Sequence, residues 1–366
     1  MNQDNCTTIE VNCQSLDSVN TEIEKKFTPK KEMSVLLSDS YKRLRWYRKA
    51  DRVADCGSWL EWLERSGNGG EGVPDTAERS APAVGTPPRP AYKLYHANFC
   101  RERLCPMCSW RRSYKIFGQM SQIMNYLGSK YRFIFLTLTV PNCKPEELNG
   151  LIDDMLKGWH KLVNRKAFKT AVKGFFRALE VTRNKKNGTY HPHFHVVLAV
   201  DPHYFKDERY IKRDEWLHMW QQSMKDPSIT QVDVRTMRDK KTGAVSGEAL
   251  SSAVAEAAKY AVKSADYIFT GNDKLMDTIV LTLSSVLSHR RLTALGGVFK
   301  EAQAQLGLDD LEDGDLVHLD NSIRSDLATM IIRYEWSAGA YKLVKKTQLE
   351  IIDGISVNPE DGEVIP

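Results

Sequence analysis

Two apolar segments that meet at a short turn set the strongest limit on how this chain can fold. GFFRALEVTR (174–183) and TYHPHFHVVLAV (189–200) flank NKKNG (184–188), whose Asn-Gly step is a hairpin signal. Adjacent strands of this length and apolarity commit the chain to an antiparallel sheet. The second strand carries His191, His193 and His195 at alternate positions. Strand side chains alternate, so all three imidazoles share one face. With the turn centred near Lys186, Glu180 falls opposite residue 192 or 193. A slip of one residue would turn it to the other face, so the turn type decides. Two imidazoles one pleat apart with a facing carboxylate leave coordination positions open, which suits Mg²⁺ or Mn²⁺ acting on a phosphate. The helical His-Glu-x-x-His pattern of zinc hydrolases is absent. A surface strand that merely carries histidines is the plain alternative. Three alternating imidazoles and a facing acid in a basic region argue against it.

The surrounding segments extend the sheet. YRFIFLTLTV (131–140) reads as a strand stopped by Pro141, and 144–172 as helical. Residues 214–226 read as a helix, 229–238 as a strand and 248–267 as an Ala-rich helix. The order β-α-β-β-α-β-α is that of a split βαβ, an antiparallel sheet backed by helices. In the Ala-rich helix, EAAKYAVKSADY (256–267) places Glu256 and Tyr260 four apart on one face, with Lys263 a turn further on. A tyrosine near a metal and a lysine can attack a phosphodiester and form a phosphotyrosine. On an amphipathic helix such a tyrosine is more often a packing residue, and the histidine strand is what tips the reading towards chemistry.

CRERLCPMC supplies Cys100, Cys105 and Cys108, a spacing that signals structural zinc. Cys56 and His96 are the candidates for the fourth ligand. Cys6, Cys13 and Cys143 read as unattached thiols. The seven cysteines, the absence of a leader-like start and the lack of a membrane-length apolar run suggest a cytoplasmic protein with no membrane partner. The net charge of +5 says less than its distribution. Ten Lys or Arg and one acid, Glu180, fall between Lys157 and Lys186, and YKRLRWYRKADR (41–52) is a second basic cluster. DDLEDGDLVHLD (309–320) is acidic. Such asymmetry suits one surface laid on a polyanion, although either cluster alone could be a solvated helix face.

FLTLTV (135–140), HFHVVL (193–198) and EAAKYAVK (256–263) stand in the order of the three motifs of HUH endonucleases. The chain most resembles their plasmid rolling-circle replication initiator (Rep) branch, with one catalytic tyrosine and an accompanying glutamate. GFFRALEVT, NFCRERLCPMCSWRR and HRRLTALGGVFKE (289–301) look like the same branch, so the resemblance runs from about Cys56 past Glu301. It implies His193 and His195 as paired metal ligands, Glu180 as the acid beside them, Tyr260 as nucleophile, Glu256 as activator of water and Lys263 as the motif lysine. His191 falls outside the motif. Tyr267 would be the second nucleophile if one were needed. The resemblance favours Cys56 over His96 at the zinc.

It further implies an α+β fold: an HUH-like antiparallel sheet with a ferredoxin/RRM-like palm, a small zinc module and a mostly helical C-terminal region. The expected organisation is a partly disordered extension (1–45), a zinc-binding module (46–112) with a flexible insertion (65–91), a nicking and joining domain (113–270), and a C-terminal region (271–366) for DNA binding or oligomerisation. Expected partners are plasmid origin DNA, host helicase, single-strand-binding protein, DNA polymerase and a second copy of the chain. No phosphate-binding loop of its own suggests a helicase. A transposase or mobilisation relaxase shares the chemistry. A zinc-knuckle DNA-binding regulator without nuclease activity is the alternative from another class.

Overall fold

The computed structural model describes residues 13–65, 92–128, 130–237, 254–256, 258, 262–319, 327–352 and 355–365. Helices α1 (Cys13–Glu22), α2 (Thr28–Arg43) and α3 (Tyr47–Asp55) precede strands β1 (Trp59–Arg65) and β2 (Tyr92–Ala97). Then come α4 (Pro106–Leu127), β3 (Arg132–Thr139), α5 (Leu148–Val163), α6 (Lys166–Ala171), β4 (Val172–Arg183), β5 (Tyr190–Val200), α7 (Arg213–Met224) and β6 (Val232–Thr236). The chain continues through α8 (Asp273–Leu287), β7 (Thr293–Gly297), α9 (Val298–Gln305), β8 (Ala328–Ser337), β9 (Ala340–Gln348) and three short strands, β10 (Glu350–Ile352), β11 (Ile355–Val357) and β12 (Val364–Ile365).

The central sheet has the order β6-β3-β5-β4-β7, with every pair antiparallel. Its first four strands follow the split βαβ order of a ferredoxin-like fold, and β7 adds to the free edge of β4. Because direct partners share a face, the register divides the sheet's side chains into two sets. Ile134, Leu136, Leu138, Phe194, Val196 and Leu198 bury against α5 and α7, where Trp159, Trp216 and Trp220 fill the layer. Phe133, Phe135, Phe176, Ala178, Val197 and Ala199 bury against Met120, Ile123 and Met124 of α4 and Phe299 of α9. Gly158 allows α5 to approach α7 closely, since a Cβ there would lie 2.5 Å from the Met224 sulfur.

Several expectations change. The helix expected over 144–172 stops at Asn164 and resumes as α6, and Val172 already belongs to β4. Within the expected N-terminal extension (1–45), residues 13–43 are helical, with a π-turn at Ile23–Phe27. The wide turn keeps Val19, Ile23, Phe27 and Lys31 in one buried line at steps of four. The C-terminal region is not mostly helical: from Ala328 its regular elements are strands. β8 pairs with β1 from Trp59↔Glu335 to Arg65↔Ala328, completing a sheet of order β2-β1-β8-β9. Among the described residues no helix is long and apolar enough to cross a membrane.

Candidate metal centres and the tyrosine segment

The β4–β5 turn is closed by Asn184 N–H to Thr189 O (2.8 Å) and Gly188 N–H to Asn184 O (2.9 Å), with Gly188 at φ 75°. Only a residue that tolerates the left-handed region suits that position. This turn sets the register Glu180↔His193, with Ala178↔His195 one pleat along. Glu180, His193 and His195 therefore share a face, and all three are buried. Their ligand atoms lie within 4.8 Å of one another, so the trio can hold a metal ion. His195 Nε2 donates to Glu180 Oε2 at 2.8 Å, and His193 Nε2 is 3.4 Å from the same oxygen.

His193 Nδ1 donates to the His191 carbonyl at 3.2 Å. That contact orients the ring so that Nε2 faces Glu180, where a bound metal would take the place of the Nε2 proton. Burial pushes the Glu180 carboxyl up, but hydrogen bonds from His193 and His195 outweigh it and hold it well below the ordinary range. The carboxylate is thus ionised and ready to ligate at neutral pH. The His191 ring stacks on His193 at 5.3 Å, and burial followed by the neighbouring His193 charge lowers its pKa. It flanks the trio without joining it.

The second cluster closes around the cysteines. Cys56 ends α3, Cys105 caps α4, and Cys108 lies in the first turn of α4. Their Sγ atoms are 3.5 Å (Cys56–Cys108, Cys56–Cys105) and 3.7 Å (Cys100–Cys108) apart. Tetrahedral zinc with Zn–S bonds of about 2.3 Å needs about 3.8 Å, so the donor set fits that ion. Backbone N–H groups of Cys100, Arg101 and Glu102 point at sulfurs of Cys56, Cys108 and Cys100. His96 lies apart, paired through Nδ1 to Glu61 at 3.2 Å. Cys143 is buried beside β5, and burial raises its thiol pKa to about 11. The other two thiols expected to be unattached cannot be placed: Cys6 and the Cys13 side chain lie outside the described residues.

Tyr260 also lies outside the described residues. Val254–Glu256 is helical, and Ala258 N–H donates to Val254 O. The expected helix does not reach 267: Lys263 is extended (ψ 132°) and exposed, and 264–266 form a 3₁₀ turn. Lys263 is therefore not one turn along the Glu256 face. Glu256 instead faces Arg235 of β6 at 3.9 Å, a partner the sequence reading missed because nothing local links strand and helix. Tyr267 is 1% exposed and donates to Leu104 O at 2.5 Å, so it is a structural residue. Burial raises its pKa well above the ordinary value.

Part of the 41–52 cluster is also structural. Arg43 makes a two-point contact with Asp277, and Arg52 pairs with Glu102 at 2.7 Å. In the acidic run, buried Glu312 accepts from Arg103 and from the Leu292 and Thr293 backbone N–H groups, which straps it to β7.

The protein thus joins an antiparallel palm to two side-chain clusters that could each hold a metal ion. The replication-protein family model matches residues 91–342. Among curated proteins, "Protein rep" of a Bacillus species is 43% identical over 62% of this chain and 77% of its own length. "Protein rep" of Bacillus amyloliquefaciens is 36% identical over 83% of this chain and 88% of its own, and that of Streptococcus pneumoniae 33% over 86% and 90%. The chain belongs to this family of plasmid replication initiator (Rep) proteins. No solved structure matches it.

Proposed function

We propose that the chain initiates rolling-circle replication by nicking one strand of its plasmid's double-strand origin and joining the displaced strand at termination. The observation that carries this reading is the register Glu180↔His193, which gathers Glu180, His193 and His195 on one face of the palm. A bound Mg²⁺ or Mn²⁺ would supply Lewis-acid polarisation of the scissile phosphate. Tyr260 Oη gives up its proton and attacks phosphorus, the P–O3′ bond breaks, and the leaving oxygen takes up one proton to become the 3′-OH primer, so no proton is gained or lost overall. The 5′ phosphate stays on Tyr260 as a diester, so the bond energy is kept for rejoining. Lys263 stabilises the phosphoryl charge from the turn that follows the helix. Glu256 accepts a proton from water when termination needs a hydrolytic cut. Cys56, Cys100, Cys105 and Cys108 hold a structural zinc. Host helicase, single-strand-binding protein and polymerase carry out synthesis.

Tyr260→Phe removes one oxygen. It should abolish nicking of supercoiled origin plasmid and the covalent adduct while origin binding persists. An adduct formed by the Phe variant would refute the assignment.

A further inference from the structure

The four-cysteine knuckle has an electrostatic problem that its own segment does not solve. Four thiolates around Zn²⁺ leave a net charge of −2, and Cys56, Cys105 and Cys108 are buried. Backbone N–H groups aimed at the sulfurs spread that charge without cancelling it. Lys31 of α2 sits against the knuckle with 1% exposure. Its Nζ donates to Ala54 O at 2.6 Å and to Cys56 O at 2.9 Å. Among the described residues no carboxylate forms an ion pair with it. Asp55, adjacent in sequence to Cys56, is exposed, and its carboxylate is taken by Ser58 and Asn98. Two carbonyls satisfy donors but cancel no charge, and a buried cation without a counter-anion is strongly disfavoured. One turn along the same helix, Ser34 Oγ lies 3.6 Å from Cys105 Sγ. Helix α2 therefore brings a cation to the sulfur cluster and packs against it through Ser34, whose hydroxyl proton goes to Lys30 O at 2.9 Å.

We infer that Lys31 is the charge partner of the zinc–thiolate cluster, which makes helix α2 a working part of the metal module rather than an extension before it. The inference rests on the zinc reading above. Each group accounts for the other: the thiolates supply the anion that a buried ammonium needs, and the ammonium lowers the cost of burying the thiolates. Lys31 touches no substrate and acts through the cysteines, so it is a positioning residue for the metal.

The test uses the full-length protein, with zinc content measured after purification and zinc loss followed on addition of excess chelator. Wild type should carry one tightly held zinc. Lys31→Met keeps the stem and removes the charge, and should lose zinc about 10–100-fold faster, the range for groups supporting a metal's ligands. Lys31→Arg keeps the charge and should stay much closer to wild type. In the cobalt-substituted protein, the thiolate charge-transfer band should persist in Lys31→Arg and bleach first in Lys31→Met. Wild type without zinc would sink the zinc reading itself. Zinc held by wild type and retained equally by folded Lys31→Met would overturn only the role of Lys31. If Lys31→Met does not fold, Lys31→Arg decides: zinc loss as fast as from a Cys105→Ser variant would show that charge is not what matters.

Discussion

Tyr267→Phe separates a structural tyrosine from a chemical one. The phenol is 1% exposed, and its O–H donates to the buried Leu104 carbonyl at 2.5 Å. Phe keeps the ring and its packing, so the change is confined to that bond. Leaving a buried acceptor unpaired costs about 1–3 kcal/mol. At about 2.1 cal/mol/K per residue, a chain of 366 residues has an unfolding entropy of about 0.8 kcal/mol/K, so the melting temperature should fall by about 1–4 °C. Leu104 immediately precedes Cys105, so part of the loss should appear as looser zinc. Nicking of origin plasmid should stay within about threefold of wild type, because an enclosed phenol whose pKa is raised well above its ordinary value does not reach a phosphate. The assay pairs calorimetry with a gel-based count of protein–DNA adducts. An unchanged melting temperature together with loss of the adduct would refute this assignment and make Tyr267 a nucleophile.

His193→Ala and His195→Ala should each reduce metal-dependent nicking by at least ~100-fold, with His191→Ala much milder; equal loss in all three would bring His191 into the ligand set. Glu180 is held below the unfolded value of about 4.3, so it stabilises the metal-free protein above that pH and the contribution fades as pH falls towards the folded value. Glu180→Gln should flatten the acid limb of a melting curve against pH, and an unaltered limb would remove that role. Glu256→Ala should nick and attach normally yet release the displaced strand poorly, and normal run-off would leave Glu256 only its contact with Arg235.

The Glu180–His193–His195 trio was legible because a hairpin is local. Once the turn between Arg183 and Tyr190 is fixed, the partner of Glu180 follows by counting, and only one residue of ambiguity remained, which the bonds closing Asn184–Thr189 remove. The split βαβ order was legible for the same reason, since each helix separates strands of clear pattern. The N-terminal helices were not. Their buried stripe includes Lys31, Ser34 and Ser38, polar residues whose hydrogen bonds go to backbone carbonyls at Lys30, Ala50, Ala54 and Cys56. A search for apolar period passes over such a face. The β1–β8 pairing was equally hidden, because Leu60 and Tyr334 meet across most of the chain and neither strand names its partner. Lys263 was misplaced because nothing in EAAKYAVKSADY marks the helix end, and the extended backbone at Lys263 breaks it before the alanine and aspartate that still look helical.

These long-range contacts converge on the knuckle. Lys31 comes to it from the N-terminal helices, Tyr267 from the segment after the tyrosine motif, and Tyr341 from β9, whose O–H donates to Gly57 O at 2.6 Å. Gly57 itself is at φ 64°, and a Cβ there would meet the Met107 side chain at 3.2 Å and Tyr341 Oη at 3.3 Å, so the backbone turns where the cysteine segment, α4 and β9 crowd together. All three groups attach to backbone carbonyls at or beside cysteines, whose positions depend on the sulfur cluster holding its shape. A metal that only linked Cys56 to Cys108 would brace one loop. Bound at this junction, a metal would fix where three separate parts of the chain meet, one of them seven residues from Tyr260 in sequence. Zinc removal should therefore loosen the tyrosine segment as well as the knuckle, even though no cysteine of the cluster belongs to the Glu180–His193–His195 centre.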